Sequence, residues 1–381
     1  MKYVDEFRDA RLARRLATAI GELLAEIPAA RDRSLQIMEF CGGHTHAIFR
    51  YGLGQLLPPA IEFVHGPGCP VCILPRARVD AAVALAQRPE VILATFGDAM
   101  RVPGSHTSLF QARAQGADVR MVYSPLDALA LARRHPRRQV VFFAVGFETT
   151  MPGTALTVLQ AAREDISNFS LLCCHVTTPP ALRAVLEAED VRLDGFIAPG
   201  HVAMVVGEAA FRFVAEEYGR PIVISGFEPV DILQALWMVL RQLAEGRSAV
   251  ENQYGRVVAR TGNPAAREAV TRVFELGGPG GLRGLGGLTG GGVRIREAYA
   301  RFDAERRFSL PGAEEVPDPE ACRCGEVLRG ALRPPACPLF GTACTPTTPL
   351  GALMVSSEGA CAAYHRFATG RPATVVHGEA P

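Results

Sequence analysis

From about residue 34 to residue 260 the chain repeats one pattern, a short apolar run followed by an amphipathic stretch, and that alternation leaves few folds open. Apolar runs occupy Ile37 to Phe40, Ile61 to Val64, Val91 to Phe96, Val119 to Tyr123, Val140 to Val145, Ser170 to Cys174, Gly195 to Ala198 and Ile222 to Ser225. Between them Val79 to Gln87, Leu126 to Arg134, Pro180 to Glu189 and Asp231 to Leu243 place their apolar residues at helical spacing. Strands separated by helices pair in parallel, so the expected class is α/β with parallel sheets and helical crossovers. Sites in such sheets form outside the carboxyl ends of the strands. Gly-containing turns follow several of these runs, at Gly97, Gly146, Gly200 and Gly226.

A chain of 381 residues accommodates two or three domains at roughly 100 to 200 residues each. The triplet Gly-Phe-Glu follows an apolar run twice, at Gly146 and Gly226, which hints at related halves. We therefore expect two similar parallel-sheet α/β domains, 31–135 and 136–258, and a loop-rich third domain in which 1–30 joins 259–381. In that last region ten of the 16 residues from Gly277 to Gly292 are glycine, which argues for loops, and five cysteines follow.

Forty Lys and Arg against 39 Asp and Glu leave a net charge of +1, too little to recruit nucleic acid or an anionic membrane. The basic run from Arg133 to Arg138 reads as a solvated turn. No run approaches the roughly 18 apolar residues of a membrane span. The N-terminal segment mixes charge with apolar residues at helical spacing and reads as a structural helix, not a secretory signal. Ten cysteines without such a signal imply a reducing compartment, and the expected location is cytoplasmic.

Three of those thiols stand near the head of the chain. Cys41-Gly-Gly-His44-Thr45-His46 follows an apolar run, and glycines after a thiol leave its sulfur open and aim backbone N–H groups at whatever it binds. His65-Gly-Pro-Gly-Cys69-Pro-Val-Cys72 brings two sulfurs within reach of one metal or of each other, and a nearby helix N-terminus would lower a thiol pKa. Zinc held by Cys41, Cys69, Cys72 and a histidine is the alternative. Cys173 and Cys174 read as buried apolar thiols of a strand. His201 and Glu148 could reach a cleft or serve as cap or core groups.

In the tail, Cys322, Cys324, Cys337, Cys344 and Cys361 fall within 40 residues, in segments rich in Gly and Pro. Four thiolates on such loops are what a [4Fe–4S] cluster requires. Structural zinc competes, but its usual paired CxxC knuckles are absent.

Taken together, the strings MEFCGGHTHAI, HGPGCPVC, FGDAMRVPGS, VGFETTMP, PGHV, SGFEPVDIL, NQYGRVV, CRCGEVLRG, CPLFGTACTP and MVSSEGACAA closely resemble the HypD family of hydrogenase maturation factors, over almost the whole chain. The resemblance implies two similar α/β domains and an iron–sulfur domain. It also implies a scaffold on which the Fe(CN)2CO unit of [NiFe]-hydrogenase is assembled, with a small chaperone, HypC, as partner and HypE supplying cyanide. Carried over by motif, Cys41 corresponds to the iron-binding thiol, and Cys69 with Cys72 to the second pair, a redox dithiol fed by the cluster. His44 and Thr45 would then orient the sulfur or hydrogen-bond a cyanide nitrogen. Many relatives carry cysteine where this chain has Leu353, so that position is not a required ligand here. Two other readings stay open: a cluster-driven thiol–disulfide reductase of a protein partner, and a zinc-stabilised binding module.

Overall fold

The apolar runs do form strands. The protein is described by a computed structural model covering residues 5–189, 191–310 and 316–367. Its strands are β1 (Leu35–Glu39), β2 (Ile61–His65), β3 (Val91–Thr95), β4 (Val119–Met121), β5 (Gln139–Gly146), β6 (Phe169–His175), β7 (Gly195–Pro199), β8 (Ile222–Ser225), β9 (Val250–Asn252), β10 (Phe274–Leu282) and β11 (Gly286–Ile295). The first nine make two sheets, in the orders β2-β1-β7-β8-β9 and β4-β3-β5-β6, with every neighbouring pair parallel. The class is α/β, as the alternation predicts.

The two sheets do not divide the chain at a single point between 135 and 136. β1 is buried at every position but the half-buried Gln36, the pattern of an interior strand with a neighbour on each side. β2 supplies one, and β7, with Gly195 opposite Ile37, supplies the other. Residues 35–65 and 195–252 therefore build one sheet, and 91–175 form the second as an insertion between them.

The N-terminal segment is also placed differently. The helix Ala10–Leu24, capped by the Asp9 carboxylate, buries Ala13, Ile20 and Leu24 in a core shared with Ile232, Leu236 and Leu240 of the helix Pro229–Ala244. Its apolar stripe thus covers the first sheet instead of joining the tail. The tail shares its apolar core with the second sheet: Leu328, Leu353 and Cys361 lie in one cluster with Val79, Leu93 and Phe143.

The glycine-rich stretch is not a loop but the antiparallel ribbon β10–β11, irregular in register around Gly278. It ties separate parts of the molecule together. The Thr177 N–H donates to the Gly291 carbonyl, and the Arg283 N–H donates to that of Ile73, one residue past Cys72.

His175, at the end of β6, is buried, with Nδ1 3.3 Å from the Gly146 carbonyl and Nε2 3.2 Å from the Thr154 hydroxyl. Burial lowers its pKa from 6.5 to about 4. The unfolded chain therefore takes up this proton before the folded chain does. Stability is intact above about pH 6.5 and should fall by roughly 3 kcal/mol as pH drops toward 4. Urea melts should show this acid limb flattened in His175→Gln; an unchanged limb would assign the loss to other groups.

Candidate functional site

The carboxyl ends of four adjacent strands of the first sheet carry the motifs of the sequence. Cys41 follows β1, the His65-Gly-Pro-Gly-Cys69 turn leaves β2, His201 follows β7 and Phe227 follows β8. This is the edge at which parallel sheets bind ligands.

Cys41 takes extended backbone geometry at the N-terminus of the helix Gly42–Arg50. Its half-buried sulfur accepts from the N–H groups of Gly43 and His44. Burial, with the charges of Glu39 and Glu358, nevertheless pushes the thiol up to about 12, so it is protonated until something displaces the proton. The Gly-Pro-Gly approach is sterically required: a Cβ on Gly68 would come within 2.2 Å of the Cys41 amide nitrogen. The two cysteine loops therefore lie backbone against backbone.

Beneath Cys41, the fully buried Glu39 accepts from the Cys41 N–H at 2.9 Å, the Thr45 hydroxyl and His65 Nδ1 at 2.6 Å. The Thr45 hydroxyl also reaches the Cys41 carbonyl at 3.4 Å, and the Thr45 N–H donates to that same carbonyl. His44 is buried, with Nε2 2.9 Å from the Gly226 carbonyl. A carbonyl only accepts, so Nε2 carries the proton and the neutral ring leaves Nδ1 a bare acceptor, with no partner among the described residues. Burial lowers the His44 pKa and favours this neutral form.

Phe227 lies between two imidazoles, 4.6 Å from His44 and 3.9 Å from His201, stacked on both. The turn that carries it is held by Asp231, fully buried and bound twice by Arg256 at 2.8 and 2.7 Å. His201 thus faces the Cys41 end of the sheet. Glu148 does not: it is buried and accepts from the Thr178 N–H and hydroxyl at the start of the helix Thr178–Leu186, the capping alternative. Cys173 and Cys174 lie outside both thiol groups, with Arg78 Nε 3.1 Å from the Cys174 sulfur.

Cys69 and Cys72 are buried, and the Cys72 thiol hydrogen-bonds to Cys69. Burial first, then this contact and the charges of Glu358 and Cys324, raise the Cys72 pKa well above 9. The lowering expected from a helix N-terminus does not occur, because the helix begins only at Arg76 and the loop between is enclosed. Cys72 packs against Gly359.

All five tail cysteines line one pocket with Val327, Leu339, Phe340, Gly351 and Met354. Cys322 and Cys324 have their sulfurs 3.3 Å apart, and Cys324 also hydrogen-bonds to Cys361. The N–H groups of Leu350 and Leu353 donate to the sulfurs of Cys344 and Cys324. A Cβ on Gly351 would lie 2.5 Å from one sulfur of the pair and 2.8 Å from the other, so only glycine keeps this wall open. Apolar walls, amide donors and more than four thiols fit a thiolate-ligated cluster. Among the described residues no three His, Cys, Asp or Glu side chains stand ready-made around a metal ion.

One segment connects these sites. Ser356 donates to Asp98 at 2.6 Å, Glu358 lies over Gly42, and Cys361 faces the tail pocket. Glu39, Glu358, Asp98 and Phe227 were not singled out from the sequence. The one local signal was Glu39, a lone charge in an apolar run.

A family model described as "HypD: Hydrogenase formation hypA family" matches residues 12–368. The chain belongs to the HypD family. It is 56% identical to the hydrogenase maturation factor HypD of Rhodobacter capsulatus, over 98% of this chain and all of that protein. It is 52% identical to HypD of Escherichia coli K12, over 96% of this chain and 98% of that protein. HypD of Azotobacter vinelandii is 53% identical over 99% of both. Membership places the chain among hydrogenase maturation factors, and no described helix is long and apolar enough to cross a membrane.

Proposed function

We propose that this HypD protein is the scaffold on which the Fe(CN)2CO unit of [NiFe]-hydrogenase is assembled, with a HypC-type chaperone as partner and a HypE-type protein delivering cyanide. The observation that carries this reading is Cys41: a half-buried sulfur facing two backbone N–H groups at the carboxyl edge of a parallel sheet. A soft thiolate suits low-valent iron, and binding displaces the proton that burial otherwise retains. Thr45 and Glu39 fix the Cys41 backbone, and His44 with Phe227 walls the turn.

Four of the five tail cysteines would hold a [4Fe–4S] cluster, which when bound supplies single electrons. Cys69 and Cys72 can close to a disulfide by exchange with a disulfide oxidant, which takes up their two electrons and two protons and leaves as two thiols. Cys72 lies close enough to Cys324 for its ionisation to feel that thiol. The setting is taken to be cytoplasmic, where such thiols stay reduced. The apolar residues after the motif, Ile48 and Phe49, form no open patch for the chaperone: Ile48 is in the core and Phe49 packs against Tyr364. Docking is therefore assigned to the rim around Cys41 itself.

Infrared spectra with iron and sulfide analysis of the anaerobically purified complex test the reading. Cyanide and carbonyl stretches are expected; a cluster without them would favour the reductase, and zinc alone the binding module. Thiol trapping after mild oxidation by a small disulfide should show a two-electron change that Cys72→Ser removes. With the Cys72 pKa raised, closure should be slow near neutral pH and quicken as pH rises. Thiols that stay free at every poise would make the pair a metal site.

A further inference from the structure

We propose that Glu39 is a positioning residue that holds the Cys41 loop and the Cys69–Cys72 loop in one fixed relation. This rests on the reading of those thiols given above. The carboxylate has three donors, and all lie at the start of one loop or the other. Two belong to the Cys41 side: the N–H of Cys41 itself and the hydroxyl of Thr45, in the first turn of the following helix. The third is His65 Nδ1, on the last residue of β2, from which the Gly-Pro-Gly-Cys69 turn departs.

The backbone makes this a buckle between strands. Glu39 and His65 are register partners, and the Gly66 N–H donates to the Glu39 carbonyl at 2.7 Å. Gly68 then abuts the Cys41 amide without room for a Cβ. With Glu39 fully buried, no water replaces a lost acceptor, so removing the carboxylate strands the Cys41 N–H and His65 Nδ1 and leaves the Thr45 hydroxyl only the Cys41 carbonyl, 3.4 Å away. A carboxylate that only satisfied a core would not draw all its partners from the two thiol-bearing turns.

Glutamine separates position from charge. Its oxygen can accept from the Cys41 N–H while its NH2 donates to the Thr45 oxygen and to His65 Nδ1 in the other tautomer. Glu39→Gln therefore keeps the buckle, and Glu39→Ala removes it.

The test compares both variants with the unaltered protein, purified anaerobically with the small chaperone, by infrared band intensity, tail-cluster iron, and hydrogen exchange at residues 40–46 and 65–72. In Glu39→Ala the cyanide and carbonyl bands should fall about tenfold or more, since small misplacements of reacting groups cost that much. Exchange should quicken in both loops while the tail iron is retained. Glu39→Gln should keep the bands within roughly threefold and leave exchange slow. Should the alanine protein fail to fold, Thr45→Val removes one donor and should give an intermediate loosening; unaltered exchange and bands there would count against the proposal. It is overturned if Glu39→Ala keeps full bands and slow exchange, or if Glu39→Gln falls as far as alanine, which would make charge the operative property. Absence of bands from the unaltered protein would overturn the scaffold reading instead, and the exchange comparison would still decide the role of Glu39.

Discussion

Cys41→Ala should abolish capture of the Fe(CN)2CO unit, leaving no cyanide or carbonyl bands above background in the complex with the small chaperone. No neighbouring thiol can take its place, because Cys69 and Cys72 are 4% and 1% exposed and Cys72 is engaged with Cys69. The Cys41 sulfur is half-buried and faces two N–H groups, where a ligand can be held from one side by protein and from the other by a partner. The fold should survive. Alanine loses the two N–H contacts to the sulfur at the start of the helix but retains the bonds from the Cys41 N–H to Glu39 and from the Thr45 N–H to the Cys41 carbonyl. Loss of a half-buried thiol costs on the order of 1 kcal/mol, so thermal melts should shift by only a few degrees and tail iron should be unchanged. Undiminished cyanide bands in the variant would sink the assignment.

Serine substitution at Cys337, Cys344 or Cys361 should empty the tail cluster, from about four irons per chain to near zero. Five thiols face one pocket and a cubane takes four, so one is spare. Cys324 opens the helix Cys324–Arg329, and the sulfurs of Cys322 and Cys324 both turn into the pocket 3.3 Å apart. Cys324 is the more buried, touches Cys361 and is felt by Cys72. That position suits a thiol between the cluster and the Cys69–Cys72 pair, leaving Cys322 as the fourth ligand. Cys322→Ser should then lose iron, whereas Cys324→Ser keeps it and instead slows closure of the Cys69–Cys72 disulfide. Equal iron loss for both, with retention at one of the other three, would overturn the ligand set.

Strand and helix positions were legible because burial imposes a period on the sequence. The strands at Val91, Val140 and Ile222 and the helices near Leu126 and Asp231 lie where the apolar runs put them. Pairing was not legible: nothing local in Leu35–Glu39 says that its second neighbour is Gly195–Pro199. The same long-range pairing builds the site. The thiols could be found by spacing and flanking glycines, but Phe227 and His201 matter only because their strands end beside Cys41. Glu39 required knowing that β2 would deliver His65 to its carboxylate. The sign of the Cys72 shift is hidden from the sequence for the same reason, since enclosure by the tail, through Gly359 and Cys324, is a long-range fact.

The insertion of one sheet within the other also sets an order of assembly during synthesis. As the chain leaves the ribosome, β3 to β6 emerge as one continuous block and can close on themselves. Ile37 must wait for Gly195, and the Phe227 wall comes later still. Closing so long a loop is entropically costly, so the Cys41 edge should be among the last parts of the parallel sheets to set. A nascent chain therefore exposes the Cys41 thiol before His201 and Phe227 stand beside it.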